Sequence, residues 1–370
     1  MMTNDDPFRF TDDLGPAKIV HLTERATGLR ATVVIDNVAI GPAIGGVRMA
    51  PDVTTEECFG LARAMTFKNA AAGLRHGGAK SVIAADPTMP TADKERLVRA
   101  FARSIADLTD YVPGPDMGTD ETCMAWVHDE IGRAVGLPAA LGGIPLDEIG
   151  ATGYGLAAAI DVAAEHLGMD LAGARVVVQG FGAVGIHTAR FLAQRGGVLV
   201  GAADSGGGIV DPHGLDVDNL ARTKASGSVA GHPTGEVIDR DAIVGVECDI
   251  WIPAARPNVI HAGNVDTVRA RIVAEGANIP TTPEAEARLH ARGVLVLPDF
   301  IANAGGVICG AVEYAGGTKA DAFRTIDERI RANTGDLLAR VDADGLTPRT
   351  AALALARSRI QAAMSFRRVR

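Results

Sequence analysis

The feature that most constrains the fold is a glycine pattern between a strand-like and a helix-like segment. Residues 176–185 read VVVQGFGAVG, and residues 184–195 have the periodicity of a helix. In this setting Gly180 permits a tight turn, Gly182 lets backbone approach a pyrophosphate, and Gly185 lets helix and strand pack closely. The free N–H groups at the helix N-terminus favour an anion. The pattern therefore predicts a dinucleotide-binding α/β domain.

The acidic residue that follows the next strand indicates which dinucleotide binds. Asp204 comes 24 positions after Gly180, at the end of the predicted strand 198–203, where a carboxylate can accept hydrogen bonds from ribose hydroxyls. A carboxylate there repels a 2′-phosphate, so we predict NAD rather than NADP, although Ser205 and the glycines after it leave room for a phosphate. The loop residues expected to contact the cofactor are Gly180, Phe181, Gly182, Ala183, Val184 and Gly185.

The rest of the chain divides into two predicted domains. Residues 1–142 mix a strand-like run with helical patterns at 54–72 and 94–108, and the breaker-rich stretch 141–150 is the candidate boundary. Residues 143–329 alternate helices with buried-type strands, as in a parallel, doubly wound sheet. We predict an α/β fold: an N-terminal α/β substrate and oligomerisation domain, a Rossmann-type dinucleotide-binding domain, and C-terminal helices (about 330–370) that return to the first domain. The predicted strands of the second domain are 175–179, 198–203, 250–253, 272–274 and 294–297.

Composition and charge exclude several classes of protein. The 370 residues are 47% hydrophobic and 22% charged, with no apolar run near the roughly 18 residues that a membrane span needs. The first ten residues lack the basic and apolar regions of a signal peptide, which predicts a cytoplasmic protein. The four cysteines are far apart and predict reduced thiols, with neither disulfides nor a metal site. The net charge of −9, with both signs interspersed, predicts no nucleic-acid partner.

Polar residues in glycine-rich surroundings mark a second candidate site in the first domain. A lysine beside glycines in an apolar setting loses solvation, which lowers its pKa toward the range useful for acid–base catalysis. The motifs are 45–49 (GGVRM), 66–69 (TFKN), 77–80 (GGAK) and 115–118 (PDMG), followed by the 180–185 loop, 276–278 (GAN) and 303–306 (NAGG). Their order resembles that of the glutamate/leucine/phenylalanine/valine dehydrogenase family, over about residues 30–350.

The resemblance implies an activity and the residues that carry it. It implies oxidative deamination of an L-amino acid to its 2-oxo acid and ammonia, with hydride transfer to the nicotinamide cofactor, and the reverse reductive amination. Lys80 looks like the catalytic lysine that activates water, and Asp116 like the acid–base group. Lys68 looks like the cation that holds the α-carboxylate, helped by the backbone N–H of Gly45.

The resemblance also implies cofactor contacts and an assembly. Thr152 and Asn278 look like residues near the nicotinamide, and Asn303 like one near the substrate. Ala254 is expected to contact the cofactor, in a loop (253–256, PAAR) where relatives usually have a cysteine and no arginine. Because relatives are closed homo-oligomers, a homo-oligomer is expected here.

The predicted side-chain pocket favours an apolar substrate. Ile44 and Gly310 stand where glutamate-specific relatives have a lysine and a serine for the side-chain carboxylate, and a buried unpaired carboxylate is costly. By the resemblance Gly114 and Val307 complete the pocket. The two glycines leave room, which predicts a bulky or aromatic amino acid. Two alternatives remain: a glutamate dehydrogenase with a rearranged carboxylate site, suggested by residues 117–121 (MGTDE), and a non-catalytic nucleotide-binding sensor.

Overall fold

A computed structural model describes Asp6 and residues 8–367. Most of the stretch used to argue against a signal peptide lies outside the described residues. The chain forms two compact units. Unit 1 comprises the described residues up to Pro145, Val307–Ala322 and those from Leu355 onward; unit 2 comprises Leu146–Gly306 and Phe323–Ala354.

This division differs from the predicted return of the chain at about residue 330. Residues 307–322 already belong to unit 1, whereas 323–354 belong to unit 2. The reason is packing within unit 2, where Phe323 contacts the Tyr154 ring edge-on and Arg331 pairs with Asp161. Sequence periodicity gives the length of a helix but not the partner of its apolar face.

Unit 1 contains a mixed five-stranded sheet in the order β1-β2-β4-β3-β5. The pairs β1–β2 and β2–β4 are antiparallel, while β4–β3 and β3–β5 are parallel. The strands are β1 Lys18–Glu24, β2 Leu29–Asn37, β3 Ala43–Ala50, β4 Gly77–Ala84 and β5 Tyr111–Pro115. The helices are α1 Thr55–Ala71, α2 Thr91–Ser104 and α3 Glu121–Ile131, with a 3₁₀ turn at Ala139–Leu141.

Capping residues fix where two of these helices begin. The side chain of Thr54 accepts a hydrogen bond from the Glu57 N–H at the start of α1, and that of Asp120 accepts one from Cys123 at the start of α3. The residues Cys58 and Ala62 of α1 pack on one face of the sheet, and the core that includes α2 and α3 covers the other face. Both faces of the sheet are therefore buried.

Unit 2 contains a seven-stranded sheet in the order β12-β11-β10-β6-β7-β8-β9, parallel from β12 to β7. The five predicted strands are confirmed within one residue. The antiparallel edge strands β8 and β9 are not among the predicted strands, since glycines start β8 and no apolar run marks either strand. The strands are β6 Arg175–Gln179, β7 Val198–Asp204, β8 Gly207–Val210, β9 Glu236–Ile238, β10 Ile250–Pro253, β11 Ile272–Ala274 and β12 Leu295–Leu297.

Helices flank the unit 2 sheet and continue toward the C-terminus. They are α4 Ala151–His166, α5 Ala183–Ala193, α6 Val217–Ala225, α7 Pro283–Ala291, α8 Asp299–Ala302, α9 Gly305–Tyr314, α10 Lys319–Asp344 and α11 Pro348–Ser365. Short 3₁₀ segments occur at Val229–Gly231, Ala242–Gly245 and Val265–Thr267. Among the helices of the described chain, none is both long and apolar enough to cross a membrane.

Candidate active site

The strand register of unit 1 gathers the predicted catalytic residues on one face of the sheet. Val47 pairs with Ser81 and Gly46 with Gly114, so Lys80, Gly46 and Gly114 occupy one row across β4, β3 and β5. Because side chains alternate along a strand, the residues two positions further along β3 and β5 lie on that same face. Those residues are Arg48 and Asp116.

Lys80 and Asp116 form a half-buried ion pair. The Nζ of Lys80 lies 3.0 Å from Oδ2 of Asp116, and the lysine side chain is only 7% exposed. Gly46 makes the pair possible, since a Cβ there would lie 2.8 Å from the Asp116 Cβ and 3.3 Å from Nζ of Lys80. Gly46 thus leaves space for Lys80 and Asp116, the two residues that the sequence analysis assigned to catalysis.

Arg48 is a site residue that sequence analysis missed. Its Nε donates to Oδ2 of Asp116 at 2.8 Å, and its Nη1 donates to Oε1 of Glu57 at 2.6 Å. The signal that could have found it is the spacing of two residues between Gly46 and Arg48, which places both on one face of a strand. The carboxylate of Asp116 therefore lies between two cations.

These contacts shift the pKa values of both predicted catalytic groups. Burial lowers the pKa of Lys80, and the attraction of Asp116 offsets this only in part. Burial alone would raise the pKa of Asp116, but the charges and hydrogen bonds of Lys80 and Arg48 outweigh it, so its pKa lies below the usual value. The pair is thus an ionised carboxylate beside a lysine that gives up its proton more easily than a solvated one.

We expect Arg48→Met to move the acidic limb of the pH–rate profile to higher pH. Loss of the guanidinium removes an interaction that lowers the pKa of Asp116, so more alkaline solution is needed to ionise it. The measurement is kcat/KM against pH. Glu57→Gln is the control, because it leaves the cation beside Asp116 in place, and an unmoved limb in Arg48→Met would contradict the assigned role of Asp116.

Two further predicted residues of unit 1 lie on neighbouring elements. A Cβ at Gly45 would overlap the carbonyl oxygen of Ala79, so only glycine fits, and its own carbonyl accepts a hydrogen bond from the Tyr111 hydroxyl at 3.0 Å. Lys68 is half-buried in the last turn of α1. Their roles toward the α-carboxylate stay predictions.

The two glycines of the predicted side-chain pocket both face Val135. A Cβ at Gly114 would lie 2.9 Å from Cγ2 of Val135, and one at Gly310 would lie 3.8 Å from Cβ and Cγ2 of the same residue. A Cβ at Gly114 would thus be crowded by Val135, whereas one at Gly310 would make ordinary van der Waals contact, and the expectation that the two glycines leave room stays a prediction. Ile44 is buried in β3 and Val307 is half-buried.

In unit 2, the glycine loop has the geometry that a dinucleotide loop requires. Gly180 has φ of 99°, and a Cβ there would lie 2.7 Å from the backbone at Ala254 and Ala255. A Cβ at Gly182 would meet no atom within 4 Å, and Gly185 packs against the Gly180 carbonyl. Helix α5 begins with Ala183 and Val184, and Gly182 is its N-cap. Because glycine has no side chain, the first N–H groups of the helix have no side-chain cap.

A pocket of about 390 Å³ lies beside this loop. Its wall includes the predicted Gly180, Phe181, Gly182, Asp204 and Ala254. It also includes Ser205 and three cationic residues that the sequence analysis did not assign to the site: Lys224, Arg240 and Arg256. Asp241 pairs with both arginines.

Asp204, which the sequence analysis expected to contact a ribose, already has several partners within the chain. Its Oδ1 accepts hydrogen bonds from Ser228 Oγ and the Gly206 N–H, both at 2.7 Å. Its Oδ2 accepts one from the Val229 N–H at 3.0 Å and lies 2.9 Å from Lys224 Nζ. A carboxylate has about four acceptor positions, so these contacts compete with a ribose for Asp204, and the ribose contact stays a prediction. Its charge is also balanced by Lys224.

The residues predicted near the nicotinamide and substrate converge elsewhere in unit 2. Nδ2 of Asn303 donates to Oδ1 of Asn278 at 3.1 Å, and Oδ1 of the buried Asn303 has no hydrogen-bond partner among the described residues. Gly305 and Gly306 lie close to the start of α4, where Thr152 is located. A Cβ at Gly306 would lie 3.0 Å from Oγ1 of Thr152. An orphaned buried acceptor is a group that a bound ligand can satisfy.

A buried ionic cluster supports the loops that carry these two asparagines. Arg349 donates to Glu275 at 2.6 Å, to Asp299 at 2.9 Å and to Glu286 at 2.7 Å. Asp299 also accepts the N–H of Ile279, next to Asn278, at 3.0 Å. Burial, with the nearby charges of Asp299 and Glu286, raises the pKa of Glu275 to about 8, and the charge of Arg349 offsets this only in part.

Comparison with known families identifies both halves of the chain. Residues 17–133 match the family model "Glu/Leu/Phe/Val dehydrogenase, dimerisation domain", and residues 142–368 match "Glutamate/Leucine/Phenylalanine/Valine dehydrogenase". A glutamate dehydrogenase from Aeropyrum pernix is 41% identical over 318 residues, covering 80% of this chain and 76% of the relative.

Solved structures share the whole fold. A hetero-hexameric glutamate dehydrogenase from Thermus thermophilus, in a leucine-bound form, superposes with a TM-score of 0.85 at 34% identity and covers 96% of this chain and 91% of its own. An L-tryptophan dehydrogenase from Nostoc punctiforme has a TM-score of 0.76 at 25% identity, covering 95% and 97%. The predicted fold class is confirmed, whereas the names of these relatives do not support a lean toward the leucine/phenylalanine type.

Proposed function

The chain belongs to the glutamate/leucine/phenylalanine/valine dehydrogenase family and is an NAD(P)-dependent amino-acid dehydrogenase, and we propose that its substrate is an apolar L-amino acid of branched aliphatic size. The observation that carries this proposal is the apolar lining around Gly114 and Gly310. Among the described residues, Val135 supplies every atom within 4 Å of a Cβ at either glycine, chain neighbours excepted. A glutamate γ-carboxylate placed there would lose its hydration without gaining a donor.

Val135 also changes the expected size of the substrate. Sequence analysis favoured a bulky or aromatic side chain because the two glycines offered room. Because Val135 lies close to Gly114 and Ile44 is buried on the same face, we propose a leucine or valine side chain rather than a ring. An added or missing methylene in such a pocket changes efficiency about ten- to two-hundredfold.

We infer that Lys80 and Asp116 carry the proton transfers of the reaction. When bound, the nicotinamide ring accepts the Cα hydride, so the protein must position the substrate, exclude water and move protons. The carboxylate of Asp116, held ionised, accepts a proton from the substrate ammonium group. Lys80, whose pKa burial lowers, takes a proton from the water that adds to the imine carbon and stabilises the resulting oxygen. Lys68 holds the α-carboxylate by charge.

The pocket at the glycine loop fits a dinucleotide and favours NADP more than the sequence predicted. The uncapped start of α5 offers N–H groups to a pyrophosphate, and Gly182 leaves the approach open. Lys224 neutralises Asp204, which removes the predicted repulsion of a 2′-phosphate. Ser205, Arg240 and Arg256 line the same pocket and can donate to a phosphate. We therefore propose that NADP is used at least as well as NAD.

A panel of amino acids tests the proposed substrate. We expect kcat/KM to be highest for leucine or valine, lower for phenylalanine, and lowest for glutamate by at least about a hundredfold, the cost of an unpaired buried polar group. Gly310→Ser serves as a comparison, since it places a hydroxyl donor near Val135 and should raise the relative efficiency with glutamate. Wild-type preference for glutamate would disprove the proposal and leave the runner-up, a glutamate dehydrogenase, which the named relatives favour.

The same assay with both cofactors tests the second proposal. We expect kcat/KM with NADP to equal or exceed that with NAD, and Arg256→Ala to lower the NADP value about tenfold or more while changing the NAD value little. Arg269→Ala is the control, because this arginine does not line the pocket. A tenfold preference of the wild type for NAD would overturn the proposal and restore the NAD prediction.

We propose a closed homo-oligomer. The support is that one of the two matched family models is a dimerisation domain; the similar structure from Thermus thermophilus is a hetero-hexamer, which supports assembly but not identical subunits.

A further inference from the structure

We propose that the buried carboxyl group of Glu275 keeps its proton at neutral pH, and that this proton holds the 275–279 loop (EGANI) in the position that binds the nicotinamide end of the cofactor. The inference rests on the prediction that Asn278 lies near the nicotinamide, and not on the identity of the amino-acid substrate. No step of the proposed reaction uses Glu275, whose side chain is fully buried in unit 2. A glutamate is rarely buried to this extent unless its charge is paired or removed.

The cluster around Glu275 contains more negative than positive charge. Glu275, Glu286 and Asp299 are each at most 10% exposed. Among the described residues, the cation that contacts all three is Arg349. Three ionised carboxylates beside one guanidinium would leave two uncompensated negative charges in a buried site, which is costly. A proton on one of the carboxyl groups halves that excess.

Glu275 is the carboxyl group that keeps the proton. Its side chain has no exposure, against 10% for Glu286 and 9% for Asp299. Arg349 donates to both oxygens of Glu286, at 2.7 and 2.9 Å, and to Glu275 through Oε2. Oε1 of Glu275 accepts no hydrogen bond from the described residues. Burial, with the charges of Asp299 and Glu286, accordingly raises the pKa of Glu275 to about 8 against the attraction of Arg349.

The surroundings of Glu275 supply no further cation from the described chain. Three charged side chains face it, one each from α11, α8 and α7: Arg349, Asp299 and Glu286. The hydroxyl of Thr281 acts to lower the pKa of Glu275, but burial outweighs it. Apolar residues border the start of the loop from the other elements: Leu156 of α4, Pro253 of β10 and Leu297 of β12.

Asp299 connects Glu275 to both ends of the loop. The N–H of Asp299 donates to Oε2 of Glu275, the first loop residue, at 2.9 Å. Oδ2 of Asp299 accepts the N–H of Ile279, the last loop residue, at 3.0 Å. Oδ1 of Asp299 accepts from Arg349 at 2.9 Å. Repulsion between an ionised Glu275 and Asp299 therefore acts on the contacts that close the loop.

The last loop residue has a backbone conformation that needs this support. Ile279 has φ of 49°, in the left-handed region that a β-branched residue rarely adopts. Its side chain is 55% exposed, whereas its N–H and carbonyl are bound by Asp299 and Asn258. Such a conformation persists only while its surroundings hold it. When Asp299 loosens, Ile279 can relax, and the adjacent Asn278 moves with it.

The sign of the pH effect follows from the two states of Glu275. In the closed loop its pKa is about 8, whereas in an opened and hydrated loop it returns toward the ordinary value of 4.5. The opened state therefore binds fewer protons between these two values, and opening becomes more favourable by up to about tenfold per pH unit. Above about pH 8 both states are ionised and the effect levels off.

Hydrogen exchange of the loop amides tests the proposal directly. After correction for intrinsic exchange rates, we expect protection of the Ile279 N–H in the cofactor-free wild type to fall at least about tenfold between about pH 6 and pH 8. Glu275→Gln keeps an acceptor for the Asp299 N–H and carries no charge. Its protection should change less than about threefold over the same range.

Cofactor binding gives a second measurement, one that a merely structural role would not move. The Kd of reduced NAD, followed by its fluorescence, should rise at least about threefold between about pH 6 and pH 8 in the wild type and stay within about twofold in Glu275→Gln. Reduced NAD has no group that titrates in this range, so the change belongs to the protein. Glu284→Gln is the matched control, since Glu284 is an exposed residue of α7 and its variant should keep the wild-type pH dependence.

Each outcome decides the proposal. A wild-type protection that does not change with pH overturns it, as does an equal fall in Glu275→Gln. If Glu275→Gln does not fold, the wild-type exchange profile still decides whether opening is linked to a proton. Exchange that depends on pH together with a Kd that does not would refute the link to the cofactor. Preference for glutamate as substrate would refute the proposed substrate and leave both measurements unchanged.

Discussion

Lys80→Ala is expected to lower kcat at saturating substrate by at least about a hundredfold, the usual contribution of a positioned acid–base group. The Nζ of Lys80 lies 3.0 Å from Asp116, and burial lowers the pKa of this lysine. A lysine in solvent keeps its usual pKa and therefore cannot replace Lys80 in proton transfer. Asp116→Asn should have a similar effect, because an amide cannot accept the ammonium proton. The measurement is the initial rate of reduced-cofactor formation with purified protein.

Lys18→Ala provides the control for this experiment. Lys18 lies on β1 of the same sheet and forms an exposed pair with Asp110, so its removal should leave turnover unchanged. Far-ultraviolet circular dichroism should show that the Lys80 and Asp116 variants keep the fold. Retention of more than about a tenth of wild-type turnover in either variant would show that its assigned role is wrong.

Arg349→Met is expected to reduce the free energy of unfolding by about 3–5 kcal/mol, the range for breaking a buried ion pair from one side. The substitution leaves Glu275, Glu286 and Asp299 without the cation that all three contact. Burial and these carboxylates already raise the pKa of Glu275 to about 8. Urea unfolding followed by fluorescence measures the loss.

Arg357→Met is the matched control on the same helix. Arg357 pairs with Asp13 at the surface, where both side chains are about half exposed, and such pairs contribute roughly 0–1 kcal/mol. A loss in Arg349→Met no larger than in Arg357→Met would refute the idea that the cluster stabilises unit 2. Because Asp299 and Glu275 adjoin the loops of Asn303 and Asn278, we also expect a higher KM for the cofactor in Arg349→Met.

The sequence by itself determined the local elements and the motifs that need glycine. Apolar periodicity located α1, α5 and the five parallel strands of unit 2, because period 3.6 or period 2 is a property of neighbouring residues. The spacing of Gly180, Gly182 and Gly185 predicted a turn whose φ and close contacts the structure reproduces. The motif order also identified the family, since several short patterns in one order rarely coincide by chance.

The tertiary structure alone decided which groups occupy the site. Val135 lies against Gly114 and contacts the space at Gly310, and Ser228 and Lys224 bind the carboxylate of Asp204. Only the fold showed that the guanidinium of Arg48 reaches Asp116. Local patterns specify backbone conformation over a few residues. The space and the hydrogen-bond partners available to a side chain depend on segments far away in sequence, which only close packing of the folded chain brings into contact.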